Sequence, residues 1–399
     1  MNTLKIVVVF LLAGFMANLA FAQSTEEVVN YIKPGQSRFL LRGYAHSGLE
    51  IYKEKNSFVS GSFNPIFLWQ QSDRLLFEGE LEIELEDGAT NIGLEYANVS
   101  YLLSKRLIVR LGKFLVPFGI FGDRLHPRWI NRLPSNPLGF THHDQIGPMS
   151  TLGAELRGGA PLGTAKINYS VYVVNGPSLN TGNTGNVNTG NEPSGEVGML
   201  NYNNFEDNNK NKAIGGRFGL LPFFDSSVEV GVSAFFGKVG SSKSKYENIA
   251  TRMFAVDFSL IKNIIPLKSV IDFKAQFNQV NVDKATYPYP TPENSSNTIT
   301  FDNKNKAYFG RLSVKPAFLS GSFIQRLEFV GRYSVLELSE AAPWGGKSTQ
   351  WAVGINYWLD WRTVFKISFQ DTRPEHAEEG EEEGTPPGKA FLFHWSVGF

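Results

Sequence analysis

Phe391-Leu-Phe-His-Trp-Ser-Val-Gly-Phe399 ends the chain with an apolar, mostly aromatic residue at every odd position. Phe391, Phe393, Trp395, Val397 and Phe399 share one face, and Leu392, His394, Ser396 and Gly398 share the other. That period of two marks a strand with an apolar side and a wetter side. A face built of Phe and Trp lines a sandwich core or faces lipid. The choice follows from the rest of the chain, where the same alternation returns between connections that sort by length.

The alternation predicts about sixteen strands, an even number in the range of bacterial outer-membrane barrels. They fall near 38–50, 57–69, 74–86, 91–103, 106–116, 151–159, 166–175, 212–221, 228–238, 248–261, 268–282, 306–315, 323–336, 349–358, 362–370 and 390–399. Every second connection is tight: 70–73, 104–105, 160–165, 222–227, 262–267, 317–322 and 359–361. The intervening ones include every long segment, 117–150, 176–211, 283–305 and 371–389, with 52–56 and 87–90 the short members of that set. A soluble sandwich has no reason to sort its loops by parity. The expected fold is all-β, a transmembrane antiparallel up-and-down β-barrel with short periplasmic turns and long extracellular loops.

Composition fits that reading. Basic and acidic side chains balance at 38 each, so no net charge points to nucleic acid, and Phe alone has 32 copies. The mean hydropathy of −0.18 is what strands with one lipid face and one water face average to. Lys5, the apolar run 6–15 and Ala20-Phe21-Ala22 read as a signal peptide over 1–22, with 23–37 a polar periplasmic lead-in and 38–399 the barrel. No later stretch reaches the ~18 apolar residues of a membrane helix. The absence of cysteine rules out disulfides and thiolate zinc sites.

Strand phase assigns the faces. Leu75, Phe77, Leu81, Ile83 and Leu85 should face lipid, as should Leu327, Phe329, Tyr333 and Val335, and Trp351, Val353, Ile355 and Tyr357. Tyr357, Trp358 and Trp361 are expected to form an aromatic girdle beside a periplasmic turn. The opposite face is charged: Glu78, Glu80, Glu82, Glu84 and Glu86 form an acidic ladder on the third strand. Arg42, Arg110, Glu155, Arg157, Arg217, Asp257, Asp272, Lys274, Arg311, Lys315, Arg326, Glu328, Arg332 and Lys366 share its phase elsewhere. A charge facing mid-bilayer lipid costs about 2–4 kcal/mol, so these must face water or one another. That points to an aqueous lumen.

The 117–150 connection is the expected constriction, because it is rich in Pro, Gly and aromatics and concentrates Arg124, His126, Arg128 and Arg132. With Arg110, Arg157, Arg217, Arg311, Arg326 and Arg332 these residues make a basic lining, which favours anions by replacing part of their hydration. The Glu78–Glu84 ladder opposes simple anion selectivity. Two opposite ladders across a lumen make a transverse field that sorts solutes by size and dipole.

Rival functions find less support. The histidines (His46, His126, His142, His143, His376 and His394) sit in no motif with Ser and Asp spacing, so no catalytic residues are assigned. His142-His143-Asp144 is the one metal candidate, but neighbouring residues on a strand point apart, and no metal or cofactor is assigned. The acidic run 378–383, with His376 beside it, and the Asn/Thr/Gly run 180–191 suggest a surface binding or adhesion role as the alternative. Both also read as solvated loop, and the acidic run lacks calcium-loop spacing.

Arg110-Leu-Gly-Lys-Phe-Leu-Val-Pro-Phe-Gly119, the long loop after it, Leu152-Gly-Ala-Glu-Leu-Arg-Gly158 and Tyr172-Val-Val-Asn-Gly176 resemble the mid-barrel segment of phosphate-selective porins O and P. Phe399 resembles the assembly signal of Gram-negative outer-membrane proteins. The resemblance implies a homotrimeric sixteen-stranded porin in outer-membrane lipid. Its third loop would fold into the lumen, and basic residues would attract phosphate or other small hydrophilic anions. Of the two basic residues on the motif, Arg110 and Lys113, only Arg110 has the lumenal phase.

Overall fold

Sixteen antiparallel strands close into one barrel. The computed structural model describes residues 38–399 other than 54, 60, 87–88, 141–144, 183–195, 290–293, 295 and 375–387. The expected signal peptide and lead-in, the His142-His143-Asp144 run, His376 and the acidic run 378–383 lie outside the described residues, as does the side chain of Glu86.

The strands run β1 (Arg38–Tyr52), β2 (in two pieces, Asn56–Val59 and Ser62–Gln70), β3 (Leu75–Glu86), β4 (Ala89–Ser104), β5 (Leu107–Leu115), β6 (Ser150–Leu162), β7 (Ala165–Val174) and β8 (Ala213–Leu221). They continue with β9 (Val228–Lys238), β10 (Ala250–Ile264), β11 (Ser269–Pro288), β12 (Thr298–Lys315), β13 (Leu327–Leu338), β14 (Gly346–Trp358), β15 (Thr363–Pro374) and β16 (Gly388–Gly398). Each pairs with its neighbours in sequence, and β16 pairs back onto β1, from Tyr44 opposite Gly398 to Tyr52 opposite Ala390. Closure removes the open edge that would leave a row of backbone donors and acceptors unpaired. Phe399 takes part in it: Gly43 and Phe399 exchange backbone hydrogen bonds at 3.1 and 2.9 Å, and the Phe399 ring stacks on Phe63.

The alternation reads out as an inside-out barrel. Val230 and Val232 on β9, Phe254 and Val256 on β10, Trp351, Val353 and Ile355 on β14, and Phe391, Phe393 and Trp395 on β16 are all exposed, while the residues of opposite phase on these strands are mostly buried and mostly small or polar. Ser233, Asp257, Gln350, Asn356, Lys366, Ser368, His394 and Ser396 lie on that inner side. Cross-strand registers keep like with like, so the two faces stay separate around the wall.

Three expectations need correction. Trp358 does not join an outer girdle: Tyr357 takes the outward phase, so Trp358 points inward, is buried and donates Nε1–H to Glu328 at 2.9 Å. Val335 keeps the outward phase but is closed over, between its cross-strand partners Tyr308 and Thr349. The stretch 283–305 is mostly strand, because β11 and β12 pair on past a bulge at 282–285 up to Pro288 opposite Thr298. Its Pro and Asn content suggests a loop, yet Tyr287 and Phe301 alternate inward there and meet as a tilted ring pair with centroids 5.0 Å apart.

At the long-loop end the interior is apolar. Phe118, Ile120, Phe121, Leu125, Leu138, Phe140 and Ile146 from 117–150 pack with Phe235, Met253, Ala255, Val280, Ala307 and Phe309 of the wall. Phe121, Phe140 and Phe309 form a ring triad with centroids 5.1–5.8 Å apart. Above them Tyr246, Tyr287, Phe301 and Trp344 form a second aromatic tier.

Candidate functional site

The segment 117–150 leaves β5 and turns into the barrel, where the inner wall supplies its hydrogen-bond partners. Gly119 N–H donates to Ser233 Oγ on β9 at 3.0 Å. Gln276 on β11 accepts from two successive backbone N–H groups, Ile120 and Phe121, at 2.7 and 2.8 Å. Asn278 donates to the Ile146 carbonyl at 2.6 Å, and Asn356 on β14 donates to the Arg132 carbonyl at 2.9 Å. Arg332 on β13 donates to the carbonyl and hydroxyl of Ser135, and Lys366 on β15 donates to the carbonyls of Arg128 and Asn131. Trp129 reaches β16, lying 3.2 Å from where a Cβ on Gly398 would stand. The loop therefore crosses the lumen and runs along the wall from β9 to β16.

Two local features allow this path. Gly119 sits at φ +70, and a Cβ there would lie 2.1 Å from the Gln276 amide nitrogen, so only glycine brings the backbone close enough to be held. A single π-helical turn, Phe121–Leu125, then places Phe121 and Leu125 in the apolar core and leaves Asp123 and Arg124 toward the polar side. His126 closes that turn through Nδ1 and the Gly122 carbonyl, so it serves the loop's own shape.

The basic residues expected in the pore divide by what they touch. Arg110 is buried and paired with Glu155 at 2.6 Å, with Glu78 4.0 Å away. Arg217 is buried between Asp257 and Glu229, at 2.6 and 2.9 Å. Arg124 from the loop shares the same Glu229 at 2.8 Å, which joins the loop to that network. Arg157 is half-exposed, 3.7 Å from Asp123, and Arg132 lies 3.1 Å from Glu328. Arg311 is buried 3.7 Å from Asp272, which Lys274 also contacts at 3.0 Å. Arg128 donates to the Pro134 carbonyl and to Asn136 Oδ1. Arg326 departs from expectation: it follows the short helix Ser322–Gln325, before β13 begins, and is exposed at the short-turn rim rather than at the constriction.

The acidic ladder faces the loop from the other side. Glu80 is buried and accepts from the Tyr44 hydroxyl at 2.7 Å, while Glu78, Glu82 and Glu84 are half-buried along β3. His394 pairs with Glu50 at 3.1 Å on the same side. The narrowed lumen thus carries carboxylates from β1 and β3. The loop arginines and the cations of β12, β13 and β15 add positive groups to the same interior, with Lys366 the cross-strand neighbour of His394.

Barrels of this fold are known among solved structures. The fold is that of the bacterial porins. The anion-selective porin from Comamonas acidovorans superposes with a TM-score of 0.56 at 12% identity, covering 91% of this chain and all of that one. The outer-membrane channel DcaP of Acinetobacter baumannii gives 0.54 at 11% identity, covering 92% of this chain and 98% of the other. In-vitro folded OmpT of Vibrio cholerae, in its trimer form, gives 0.51 at 11% identity, covering 91% and 99%. No family model matches the sequence, and no match was found among curated proteins.

Within the porin fold, the residues that hold the loop are mostly ones that a search for charge passes over. Gln276, Asn278, Ser334 and Asn356 are uncharged, inward-phased and buried, and each bonds loop backbone. A polar amide at an inward position in mid-strand is the sequence signal that marks them. Lys366 and Arg332 have the lumenal phase, but nothing in the strand sequence tells a cation that meets solute from one that holds a carbonyl.

Proposed function

We propose that this chain is an outer-membrane porin through which small hydrophilic solutes and ions diffuse passively. The supporting observation is the pairing of an apolar outer wall with a charged interior that a loop narrows from within. Outward Val353, Ile355 and Phe393 suit hydrocarbon, and the buried carboxylates and guanidiniums behind them suit a water-filled passage. The Gram-negative outer membrane is the place where such barrels are stable, and homotrimeric assembly follows the porin pattern.

Anions are favoured weakly. Arg124, Arg132 and Arg157 keep about a quarter to a third of their side chains open, and the Glu78–Glu84 ladder sets carboxylates in the same interior. Phosphate is one candidate solute, because guanidinium forks match its geometry. Planar-bilayer conductance with a KCl gradient tests the proposal. The expected result is ohmic steps with a small anion preference that is lost when Arg124, Arg128 and Arg132 are all changed to Ser. A cation preference in the unmodified protein overturns the basic-constriction reading, and an absence of channels overturns the porin reading.

A further inference from the structure

We infer that the outer face of β12–β16 is a binding site for a lipid whose head group carries phosphate, with one acyl chain seated in a groove over Gly331. The inference rests on the outer-membrane reading above. An apolar hollow of about 510 Å³ opens on this face, lined by Leu312, Phe329, Gly331, Val353, Phe369 and Phe391. Gly331 makes the hollow: a Cβ built there meets nothing within 4 Å, between cross-strand partners Leu312 and Val353. The backbone does not require glycine at this position, since its φ is not positive. What glycine leaves is room.

The strand registers show what lies above the groove, toward the long loops. Two residues up, Tyr333 and Trp351 stand side by side, and Trp351, Phe369 and Phe391 form a tilted stack with centroids 5.2 and 4.8 Å apart. These rings extend the apolar surface upward from the groove. At Glu337 the outer face becomes ionic: Lys306 and Lys347, its partners on either side, approach it at 3.7 and 3.6 Å and share the one carboxylate. On the same outer faces Arg373 contacts Asp371, Lys389 stands opposite Asp371, and Lys304 contacts Asp302. Cations outnumber carboxylates there, which complements a phosphate.

The spacing matches a lipid. From Gly331 to Glu337 is six residues along β13, or roughly 20 Å of strand at about 3.3 Å per residue. With a strand tilt of about 35–45°, that is about 15 Å along the membrane normal, the depth of one hydrocarbon leaflet. A head group held by Lys306 and Lys347 places its chain end in the Gly331 hollow.

The test uses Trp351 as the reporter, in folded protein inserted into vesicles doped with brominated-chain phosphatidylglycerol or brominated-chain phosphatidylcholine. Subtracting the Trp351→Phe protein isolates its signal from the other tryptophans. Stronger quenching by the anionic lipid is expected, with the preference falling about fivefold for each of Lys306→Gln and Lys347→Gln. Gly331→Leu, which fills the hollow, should lower quenching by both lipids while conductance stays unchanged. Equal quenching by the two lipids in the unmodified protein overturns the inference. So does a preference abolished by inorganic phosphate, which would assign the cations to a soluble anion. A protein that inserts and conducts but shows no lipid preference refutes this site alone, whereas one that fails to insert refutes the porin reading.

Discussion

Gln276→Leu is the sharpest test of how the constriction is held. The Gln276 carbonyl oxygen accepts from both Ile120 and Phe121, and its amide lies 2.8 Å from Asn278 Oδ1. Leucine keeps most of the volume and removes the acceptor, so two buried N–H groups lose their partner at once. Each costs about 1–3 kcal/mol, or about 2–6 kcal/mol together. At about 1.4 kcal/mol per tenfold, the docked arm loses between roughly one and a half and four powers of ten in its equilibrium. The effect should stay local, because Arg332, Asn356 and Lys366 hold the far arm independently. Absence of native cysteine supplies a clean assay: Leu125→Cys places a thiol in the core beneath the docked arm, where the residue is buried. Maleimide should label that cysteine slowly with Gln276 intact and at least tenfold faster with leucine there. Single-channel steps should also become noisier. Labelling rates within twofold of each other would refute the view that this side chain holds the arm.

Three further outcomes are expected. Val353→Lys, at the middle of the apolar belt, should cost about 2–4 kcal/mol and sharply reduce refolding yield, whereas Thr349→Lys, nearer the ionic band, should cost about 0–1 kcal/mol, both read from urea midpoints in lipid. Phe309→Ala removes the ring that meets both Phe121 and Phe140, and should cost about 3–5 kcal/mol and raise the labelling of Leu125→Cys without changing ion selectivity. The Asp360 carboxylate, in the turn between β14 and β15, is held below its ordinary value chiefly by the Arg362 backbone N–H at 2.6 Å, with Thr363 also donating. Its contribution is complete above the unfolded value of about 3.9 and fades as pH falls through the lower folded value. The stability gap between the unmodified protein and Asp360→Asn should therefore shrink from pH 5 to pH 3, and a constant gap would count against the turn's dependence on that charge.

The wall was legible in the sequence because its signal is repeated. Each of the sixteen expected strands is present, and the parity of short and long connections survives in the barrel. The period of two needs only local residues, so Phe391 and Trp395 declare their face without reference to anything distant. What the sequence hid was tertiary. Trp358 looked like a boundary aromatic until its phase and the Glu328 carboxylate placed it inside. Tyr287 and Phe301 looked like loop residues because Pro and Asn surround them, yet they meet across a hairpin that only the register reveals. The apolar core under the 117–150 segment was invisible for the same reason, since its wall half is scattered as single residues such as Met253 and Phe309 on different strands.

The constriction shows why inward charge is a poor guide to pore chemistry by itself. Arg217 faces inward, but Asp257 and Glu229 absorb its donors, and removing it would strand buried carboxylates rather than retune a solute path. Arg332 and Lys366 face inward too, and their charge is directed at loop oxygens instead of at a passing ion. These residues set the shape of the gap. The groups left partly open are the guanidiniums of Arg124, Arg132 and Arg157 and the half-buried carboxylates of Glu78, Glu82 and Glu84, and on the proposed porin reading these are the ones a solute would meet. Because that remainder carries both signs, the proposed passage would orient a dipolar solute and only weakly rank anions over cations. On that reading selectivity would depend on a few half-exposed side chains, and the larger buried set would fix how far apart those few are held.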